Sequence, residues 1–470
     1  MTKANVAAVV LAAGDGTRMK SALPKVLHRI AGLPMIRHVL TTVERLSPRE
    51  SVVVIGPGMS EVRDAVKPHR AVVQAKPLGT GHAVLAARET LEGFAGDVLV
   101  LFGDTPLITL ATLERLLAVL KTKPRPAVVV LGFRPALRSG YGRLVTRAGG
   151  MLEAIVEERD ASAAERALPL CNSGVMAIDG RHLLPLLGRV DNRNATGEYY
   201  LTSIVALARG DGLACAYVEA PEDELIGVNS RAELALAEAA MQRRLRARAM
   251  AEGATLIAPE TVWLSFDTRL GRDVTVGPHV FFGPGVEVAD RVEIRGFCHI
   301  EGARIAEGAM VGPFARLRPD AEIGKDAHIG NFVEVKNTRV GEGAKANHLA
   351  YLGDARVGAG ANIGAGTITC NFDGYSKYRT DIGKGVFIGT NSSLVAPVKI
   401  GDDAYVGTGS VITRDVPEGA LAVARAREVQ RPGWVEKFRA RKRAEKAAKA
   451  GEAPSKPAKA KAKAKVKVGN

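Results

Sequence analysis

The sequence is poor in cysteine, the residue that cross-links small secreted proteins. Its 470 residues contain four scattered cysteines, Cys171, Cys215, Cys298 and Cys370, with no CxxC pair. This spacing excludes both a disulfide framework and a metal site built from paired cysteines. A reducing compartment is the simplest setting for such a chain, so we expect a cytoplasmic protein.

Long apolar runs are also lacking. The N-terminal MTKANVAAVVLAAGDG contains a short one, but Asp15 and a Gly-rich stretch end it. No run approaches the roughly 18 residues of a membrane helix. We therefore expect a soluble protein without a membrane span.

Acidic residues are fewer than basic ones, which gives a formal net charge of +15. Most of this excess lies from Lys437 onward, in a stretch of Lys, Arg, Ala and Pro that lacks the residues of a core. The composition predicts a disordered basic tail over residues 436–470, best interpreted as a solubilising extension. The alternative is weak binding of the tail to anionic polymers or a membrane surface; otherwise nucleic acid is an unlikely class of partner.

What the sequence has in abundance is a repeat of about six residues between Leu270 and Val416, interrupted near 370–381. An aliphatic residue opens most repeats, often followed by Gly, with a small or β-branched residue four positions after the aliphatic. A period of six fits neither a helix nor an alternating strand, and three such segments form one coil of a parallel β-helix. The aliphatic residues are then expected inside the prism, and the glycines at corners with positive φ.

The N-terminal region begins with an apolar strand, Val6 to Leu11, that runs into LAAGDGTRM and then PKVLH. A Gly-rich turn after a first strand lets backbone N–H groups approach phosphates, and Arg18 and Lys25 add positive charge. The glycines alone fit an ordinary strand-to-helix turn equally well. Met19 excludes both a P-loop and a GxGxxG fingerprint.

Strands and helices then alternate, which predicts a doubly wound, Rossmann-like and mostly parallel α/β sheet with ligands at the carboxyl ends of its strands. The segments that carry this prediction are a helix over 34–46, strands over 51–55 and 71–74, a helix from 80 and a strand over 98–102. Asp104 follows the last of these, although an isolated Asp there is more often a turn residue or helix cap.

A long helix is predicted over 230–252, because Ser230 and Glu233 form a capping box and Gly253 can close its end. It connects the predicted sheet to the predicted prism. We expect it to have no catalytic role.

LAAGDGTRM followed by PKVLH resembles the signature of sugar-1-phosphate nucleotidyltransferases, as do QAKPLGTGHA, FGD, YGR, IVEERD, CNSG and GVNSR. The resemblance implies that Asp104 and Asn229 hold Mg²⁺, whose preferred ligands are oxygens. It also implies a site for UTP and the UDP-sugar, in which Gln74 and the Gly-Thr turn read the uracil. The residues implied for that site are Leu11, Ala12, Ala13, Gly14, Arg18, Lys25, Gln74, Gly79, Thr80, Gly142, Glu157, Asn172 and Asn229.

The prism resembles the left-handed hexapeptide-repeat acyltransferases, a likeness that implies a homotrimer with active sites between neighbouring prisms. KANHLAYLGD, FARLRP, NFVEVK and NIGAGTITCNFDG are similar to glucosamine-1-phosphate acetyltransferases. The resemblance implies His348 as general base, a role suited to a side chain that titrates near neutral pH. It implies Arg318, Lys336, Tyr351, Asn362 and Lys377 at the sugar phosphate, and Ala365, Asn371, Phe372, Thr390, Thr408 and Arg425 at acetyl-CoA.

Together the resemblance covers residues 6–434 and extends to the bacterial bifunctional enzymes that make UDP-N-acetylglucosamine, a precursor of peptidoglycan and lipopolysaccharide. It implies that acetyl-CoA acetylates glucosamine-1-phosphate, after which UMP is transferred from UTP and pyrophosphate leaves. Phe372 departs from the usual Tyr, and Thr390 and Thr408 stand where Ser and Ala are common. The expected divisions are a uridylyltransferase domain over 1–229, a linker helix over 230–253, a β-helix domain over 254–435 and the tail.

Two other functions compete with this interpretation. A single-activity nucleotidyltransferase with a purely structural β-helix would not need His348, Tyr351 and Arg318 together. A scaffold that binds anionic polymers through its tail would leave the LAAGDGTRM loop without a purpose.

Overall fold

The computed structural model describes residues 4–136, 140–147, 151–449 and 451. The chain forms two compact units that divide between Val423 and Ala424. The first unit contains an α/β sheet and a β-helix. The second contains one described helix.

The N-terminal part of the first unit contains eleven strands and nine helices among the described residues. The strands are β1 (Ala4–Ala12), β2 (Arg29–Ile30), β3 (Leu33–Pro34), β4 (Pro48–Ile55), β5 (Arg70–Val73), β6 (Asp97–Phe102), β7 (Val128–Phe133), β8 (Arg143–Thr146), β9 (Leu152–Val156), β10 (Cys171–Asp179) and β11 (Cys215–Glu219). The helices are α1 (Met35–Arg45), α2 (Ser60–Ala65), α3 (Thr80–Leu85), α4 (Arg88–Leu91), α5 (Leu110–Leu120), α6 (Ala163–Arg166), α7 (Gly180–Leu187), α8 (Ser203–Gly210) and α9 (Arg231–Ala251).

The main sheet has the strand order β11-β7-β10-β6-β1-β4-β5. Its neighbours are parallel except β10, which is antiparallel to both β6 and β7. Apolar side chains cover both faces: α1 and α5 pack on one side, and α3, α7 and α8 pack on the other. The predicted doubly wound, mostly parallel sheet is confirmed, and its predicted strands begin one to three residues earlier than expected.

Helix α9 begins and ends close to the predicted bounds. The Ser230 side chain accepts from the backbone N–H of Glu233, but the Glu233 carboxylate accepts from Asn229 N–H (2.8 Å) rather than from Ser230 N–H. At the other end Gly253 has φ 108°, and the backbone bonds Gly253 N to Met250 O and Ala254 N to Ala249 O form a Schellman motif. Glu233 therefore fixes the backbone of the residue predicted to bind metal.

The β-helix follows α9 and consists of short strands joined by turns. They are β12 (Thr255–Leu256), β13 (Arg269–Leu270), β14 (Thr275–Val276), β15 (Phe281–Phe282), β16 (Glu287–Val288), β17 (Glu293–Ile294), β18 (His299–Ile300), β19 (Ala303–Ile305), β20 (Met310–Val311), β21 (Arg316–Leu317), β22 (Ala321–Ile323), β23 (His328–Asn331), β24 (Glu334–Val340), β25 (Lys345–His348), β26 (Tyr351–Val357), β27 (Asn362–Ile363), β28 (Ile368–Cys370), β29 (Thr380–Ile382), β30 (Phe387–Ile388), β31 (Ser393–Val395), β32 (Val398–Ile400), β33 (Tyr405–Val406), β34 (Val411–Ile412) and β35 (Leu421–Ala422).

The predicted repeat is confirmed by the register of this prism. Val276 pairs with Ile294, Ile294 with Val311 and Val311 with Ile329, so one coil takes 17 or 18 residues. The repeated aliphatic residues are buried from Val276 to Ile412. Ile363 pairs with Ile388, 25 residues later, because an insertion stands between β28 and β29.

The expected reason for the glycines of the repeat holds for only part of them. Gly312, which follows the aliphatic Val311, has φ 94°, and Gly285 has φ 75°, but corner residues other than glycine, such as Phe332 (56°), also have a positive φ. Gly330 follows the aliphatic Ile329 and does not have a positive φ; a Cβ there would collide with Asn347 of the next coil. Glycine is therefore selected here by the close approach of successive coils.

The second unit contains α10 (Trp434–Lys449), so the predicted disorder was wrong for residues 436–449. Ala, Lys, Arg and Glu are strong helix formers, and Glu445 pairs with Arg441 and Lys442 one turn earlier. The part of the predicted tail over 452–470 lies outside the described residues. Among the helices described, none combines the length and the apolar character that crossing a membrane requires.

A buried ion cluster closes the end of the sheet opposite the strand carboxyl ends. The Asp179 side chain is 1% exposed and accepts from Arg181 and from Arg125 Nε (2.6 Å), while Arg125 also donates to Asp97 (2.6 Å). Burial alone would raise the pKa of Asp179, but the two arginines hold that pKa well below its usual range. The ionised carboxylate therefore stabilises the folded state.

We expect Asp179→Asn to lower the free energy of unfolding at pH 7 by about 1.5–3 kcal/mol, the range for hydrogen bonds to charged groups. Because the folded-state pKa is depressed, this stabilisation is present above the unfolded pKa of about 3.9 and is lost as the pH falls below it. Urea unfolding at pH 7 and at low pH measures the difference. Asp191→Asn is the matched control, since Asp191 pairs with Arg193 in the same local geometry but is 51% exposed; an equal loss in both variants would contradict the prediction.

Candidate functional site: a nucleotide cavity and two sites on the prism

The Gly-rich loop lines a cavity of about 290 Å³ at the carboxyl ends of β1 and β6. The structure brings nine predicted residues to its wall. They are Leu11, Ala12, Ala13, Gly14, Lys25, Gln74, Gly79, Thr80 and Asp104. These residues come from four separate chain segments, so the doubly wound fold itself assembles the cavity.

Of the two residues predicted to bind metal, Asp104 lines the cavity, and Asn229 is joined to it through Lys25. Lys25 Nζ donates to Asp104 Oδ2 (2.5 Å) and to Asn229 Oδ1 (3.0 Å). One carboxylate oxygen and one amide oxygen thus converge on a single cation, although Asp104 and Asn229 are 125 positions apart. This donor set fits Mg²⁺, which accepts a small number of protein oxygens and completes its shell with water and phosphate.

A segment without a predicted role, residues 198–201, covers the Gly79 turn. Tyr199 O accepts from Gly81 N (2.8 Å), and Thr80 Oγ1 accepts from Leu201 N (3.0 Å). Gly79 has φ 109°, and a Cβ there would collide with the backbone of Tyr199. The Gln74 amide donates to Gly79 O (3.1 Å) inside the same turn. The turn is therefore held by hydrogen bonds from both sides.

The predicted sugar-binding residues form a neighbouring cluster. Asn172 N donates to Gly142 O (2.8 Å), and a Cβ on Gly142 would contact the Glu157 carboxylate. Thr202, which sequence reasoning missed, donates to Glu157 Oε1 (2.9 Å). Burial raises the pKa of Glu157, opposed by the bond from Thr202. Glu198, whose charge also raises the pKa of Glu157, lines the wall of the cavity.

Two residues of the loop point elsewhere. Arg18 is exposed and is not among the residues that line the cavity. Asp15 is exposed as well, so its negative charge lies outside the proposed phosphate site. The role of Arg18 remains a prediction.

A second cavity, of about 1040 Å³, lies on the prism and is lined by Arg318, Lys336 and Lys377 among others. Arg318 and Lys336 are stacked one coil apart, and Arg318 donates to Glu334 (2.8 Å). Tyr351 lies beside them, with its ring over Gly353, where a Cβ would collide with the phenol. Three basic side chains thus converge as a phosphate monoester requires.

His348 stands at a different corner of the prism. Its Nδ1 lies 2.6 Å from Asn331 Oδ1, one coil earlier. Because an amide oxygen only accepts, Nδ1 carries the proton and Nε2 keeps a lone pair. Sequence reasoning gave Asn331 no role, although the 17-residue coil spacing could have found it.

The predicted acetyl-CoA positions continue the His348 column. Ala365, Thr390 and Thr408 follow in successive coils, as the pairings Ala346 with Ile363, Ile363 with Ile388 and Ile388 with Val406 require. Asn362 is half-buried at the start of the coil that contains Ala365.

Asn371 and Phe372 lie in the insertion between β28 and β29, apart from this column, with Asn371 buried and Phe372 exposed. Arg425 is exposed in the second unit. His348 is not among the residues that line the cavity of Arg318, Lys336 and Lys377.

Comparison with known proteins bears on both halves of the first unit. Residues 8–169 match the MobA-like NTP transferase domain, and residues 302–337 and 379–414 match the bacterial transferase hexapeptide. The bifunctional protein GlmU of Paramagnetospirillum magneticum is 63% identical over 449 residues, which cover 96% of this chain and 100% of that protein. The GlmU proteins of Rhodospirillum rubrum (63% over 443 residues, 94% and 99% covered) and Rhizorhabdus wittichii (59% over 451 residues, 96% and 100% covered) are similarly close.

These likenesses run through the sheet, α9 and the prism without interruption, and the predicted left-handed hexapeptide β-helix is confirmed with them. The chain belongs to the family of bifunctional GlmU proteins.

Proposed function

We propose that the nucleotide cavity carries out uridylyl transfer and that the prism carries out acetyl transfer, with UTP and acetyl-CoA as co-substrates. The chain is an enzyme of a bifunctional family, with a nucleotidyltransferase half and an acyltransferase half. The observation that carries the assignment is the convergence of Lys25, Asp104 and Asn229 under the Gly-rich loop. The single-activity alternative loses its support with this family membership.

In the nucleotide cavity, a phosphate oxygen of N-acetylglucosamine-1-phosphate attacks the α-phosphorus of UTP. The bond to the β-phosphate breaks, and pyrophosphate leaves with its electron pair. Asp104 and Asn229 would hold Mg²⁺, which when bound offsets the negative charge of the triphosphate. Backbone N–H groups of residues 11–14 and the ammonium of Lys25 stabilise the developing charge, while Gln74 orients the base.

On the prism, the 2-amine of glucosamine-1-phosphate attacks the thioester carbonyl of acetyl-CoA. The Nε2 lone pair of His348 takes the proton that the amine loses, and the CoA sulfur leaves with the electron pair of the broken bond. Arg318, Lys336 and Lys377 bind the sugar phosphate. The Nδ1 bond to Asn331 holds the tautomer that this transfer needs.

A single assay tests the whole sequence of reactions. The full chain is supplied with glucosamine-1-phosphate, acetyl-CoA, UTP and Mg²⁺, and UDP-N-acetylglucosamine and pyrophosphate are measured. Omission of acetyl-CoA should stop product formation, and pre-acetylated sugar phosphate should restore it. If pre-acetylated sugar phosphate does not restore product formation, uridylyl transfer is contradicted. If product forms from glucosamine-1-phosphate without acetyl-CoA, the proposed order of the two reactions is contradicted. The domain limits of 229, 253 and 435 and a cytoplasmic location belong to the same proposal.

We further propose that the acetyl-transfer sites lie between copies of the chain in a homotrimer. An exposed aromatic ladder, defined as Phe297, Phe314 and Phe332, runs along one corner of the prism with ring centroids 5.0 and 5.2 Å apart. These rings are about half exposed, and the equally exposed Leu349 follows, next to His348. A contiguous apolar surface beside an incomplete site is best covered by a second copy.

We expect the double variant Phe314→Glu, Phe332→Glu to sediment as a monomer, because charge on the ladder opposes burial against another chain. Acetyl transfer should fall at least about tenfold with the lost contacts, while uridylyl transfer is kept. Tyr405→Glu is the matched control: it charges an exposed aromatic ring stacked on Phe387 (4.4 Å), away from the ladder. A trimer in the double variant, or a wild-type chain that acetylates as a monomer, would contradict the proposal.

A further inference from the structure

The insertion between β28 and β29 (residues 371–379) carries residues assigned to both substrates of acetyl transfer. Asn371 and Phe372 belong to the proposed acetyl-CoA site, and Lys377 belongs to the sugar-phosphate site. The insertion closes on itself, since Tyr378 N donates to Asn371 O (2.8 Å) and Phe372 bridges to Lys377. Its two ends are thereby tied together, so contacts at its base decide where Lys377 lies.

Asp354, on β26, supplies such a contact. One of its carboxylate oxygens accepts from the side-chain amide of Asn371, which is only 7% exposed. The other accepts from Asn337 Nδ2 (2.6 Å), and Asn337 directly follows Lys336 on β24. A single carboxylate therefore joins the base of the insertion to the strand that carries the second phosphate-binding lysine.

Asp354 also has an electrostatic role, because two lysines lie near its carboxylate. Lys336 lowers the pKa of Lys377, through a hydrogen bond and through charge repulsion, and Asp354 opposes that effect. Burial would raise the pKa of Asp354, but the bonds from Asn337 and Asn371 and the two lysine charges hold it below its usual value. Asp354 is thus ionised at neutral pH and offsets the repulsion between the two lysines.

Other titratable groups also face this site. Tyr351 on β26 acts on Lys377 in the same direction as Asp354. The remaining charged groups of the cavity wall are Arg318, Asp320, Glu322, Arg339, Arg356 and Arg379. Arg339 pairs with Glu322 and Arg356 with Asp381 (2.6 Å each), so these arginines are already balanced.

We propose that Asp354 is a positioning residue for acetyl transfer, which fixes the insertion and keeps Lys377 charged beside Lys336 for the sugar phosphate. The proposal rests on the function proposed above for these two lysines. It assigns to Asp354 no contact with either substrate. Its effect on catalysis passes through Lys377 and Asn371.

The test is Asp354→Asn in the full chain. Asp354 has φ 49°, a conformation that Asn tolerates as well as Asp, so the variant removes charge without adding backbone strain. We expect the KM for glucosamine-1-phosphate to rise on the order of tenfold or more, as for a lost charged hydrogen bond, and the KM for acetyl-CoA to rise less. Uridylyl transfer, measured on the same sample, should be unchanged.

The pH profile separates charge balance from a merely structural role. Without the carboxylate, the pKa of Lys377 falls further, so its ammonium is lost at a lower pH. The alkaline rise in KM for glucosamine-1-phosphate should therefore begin at lower pH in Asp354→Asn than in wild type. Asp381→Asn is the matched control, because Asp381 pairs with Arg356 outside the lysine pair.

Unchanged KM values and an unchanged alkaline limb in a folded Asp354→Asn would overturn the inference. If that variant does not fold, Asn337→Ala replaces it: it keeps the charge but frees one side of the carboxylate, so KM should rise with the alkaline limb unmoved. Wild-type kinetics in Asn337→Ala would then overturn the inference. Lys377→Ala distinguishes the two proposals. If Lys377→Ala leaves the KM for glucosamine-1-phosphate unchanged, the phosphate site itself is contradicted. If Lys377→Ala raises this KM and Asp354→Asn does not, only the role of Asp354 is contradicted.

Discussion

Asp104→Asn should lose at least about a hundredfold of uridylyl transfer while acetyl transfer stays at the wild-type level. Loss of an outer-shell partner of a metal ligand already costs about 10–100-fold in metal affinity or activity, and the Asp104 carboxylate would itself be one of two protein oxygens on the metal, so its loss should cost more. The geometry makes the expectation sharp, because Asp104 and Asn229 face the same ammonium. The rate should recover in part at high Mg²⁺ concentration, since the variant is impaired first in metal binding.

The measurement needs two controls. The Lys25 side chain is 11% exposed, so removal of its ionic partner also destabilises the sheet, and thermal unfolding must be recorded beside activity. Asp64→Asn is the matched variant, since Asp64 near the end of α2 pairs with Lys67, and both side chains are exposed. Full uridylyl transfer by Asp104→Asn at limiting Mg²⁺ would mean that Asp104 is a turn residue and not a metal ligand.

The sequence predicts the prism well because its core is periodic. Positions such as Val276, Ile294 and Val311 are specified by a local pattern, and burial follows from it. The purpose of Gly330 could not be predicted in the same way. That purpose depends on the distance to Asn347 in the following coil, a contact that the sequence of one repeat does not contain.

The residues around the sites are likewise predictable from the sequence only where they follow the repeat. Asn331 is predictable in principle, because it precedes His348 by one coil of 17 residues. Asp354 is not, since its partner Asn371 lies in an insertion that breaks the period. Asp104 and Asn229 meet only in the fold, and a family resemblance rather than their spacing predicted the pair. The local sequence pattern thus predicts which residues pack in the core, whereas contacts between separate elements follow only from the folded structure.

The segment 197–203 illustrates a site residue that sequence reasoning left without a role. Thr202 holds Glu157, and Glu198 lines the nucleotide cavity. Both lie on a segment whose function depends on the Gly79 turn, more than a hundred positions earlier. Only the folded chain brings the Gly79 turn and the cluster around Glu157 into contact with one segment.

His348→Ala should lose at least about a hundredfold of acetyl transfer, because removal of a general base typically costs about 10²–10⁴ in rate. His348 is exposed and its ring hydrogen-bonds to the side chain of Asn331 at the surface of the prism, so the fold should not depend on it. Uridylyl transfer and thermal unfolding should be unchanged, and acetyl-CoA should bind nearly as before. The loss should fall on kcat, since the histidine acts only once both substrates are bound.

Asn331→Ala tests the same assignment through the tautomer. Without the amide oxygen, Nδ1 loses the acceptor that holds its proton, so the fraction of rings with a free Nε2 lone pair falls and kcat should drop by less than in His348→Ala. Because Asn331 acts through His348, the double variant should be no slower than His348→Ala alone, and this non-additivity distinguishes a shared role from two separate ones. His328→Ala is the control, since His328 lies on the same strand as Asn331 and faces Lys345 rather than His348 across the coils. Acetylation by His348→Ala within a few-fold of wild type would mean that another group takes the proton, and the base would then have to be sought on the surface of a neighbouring chain.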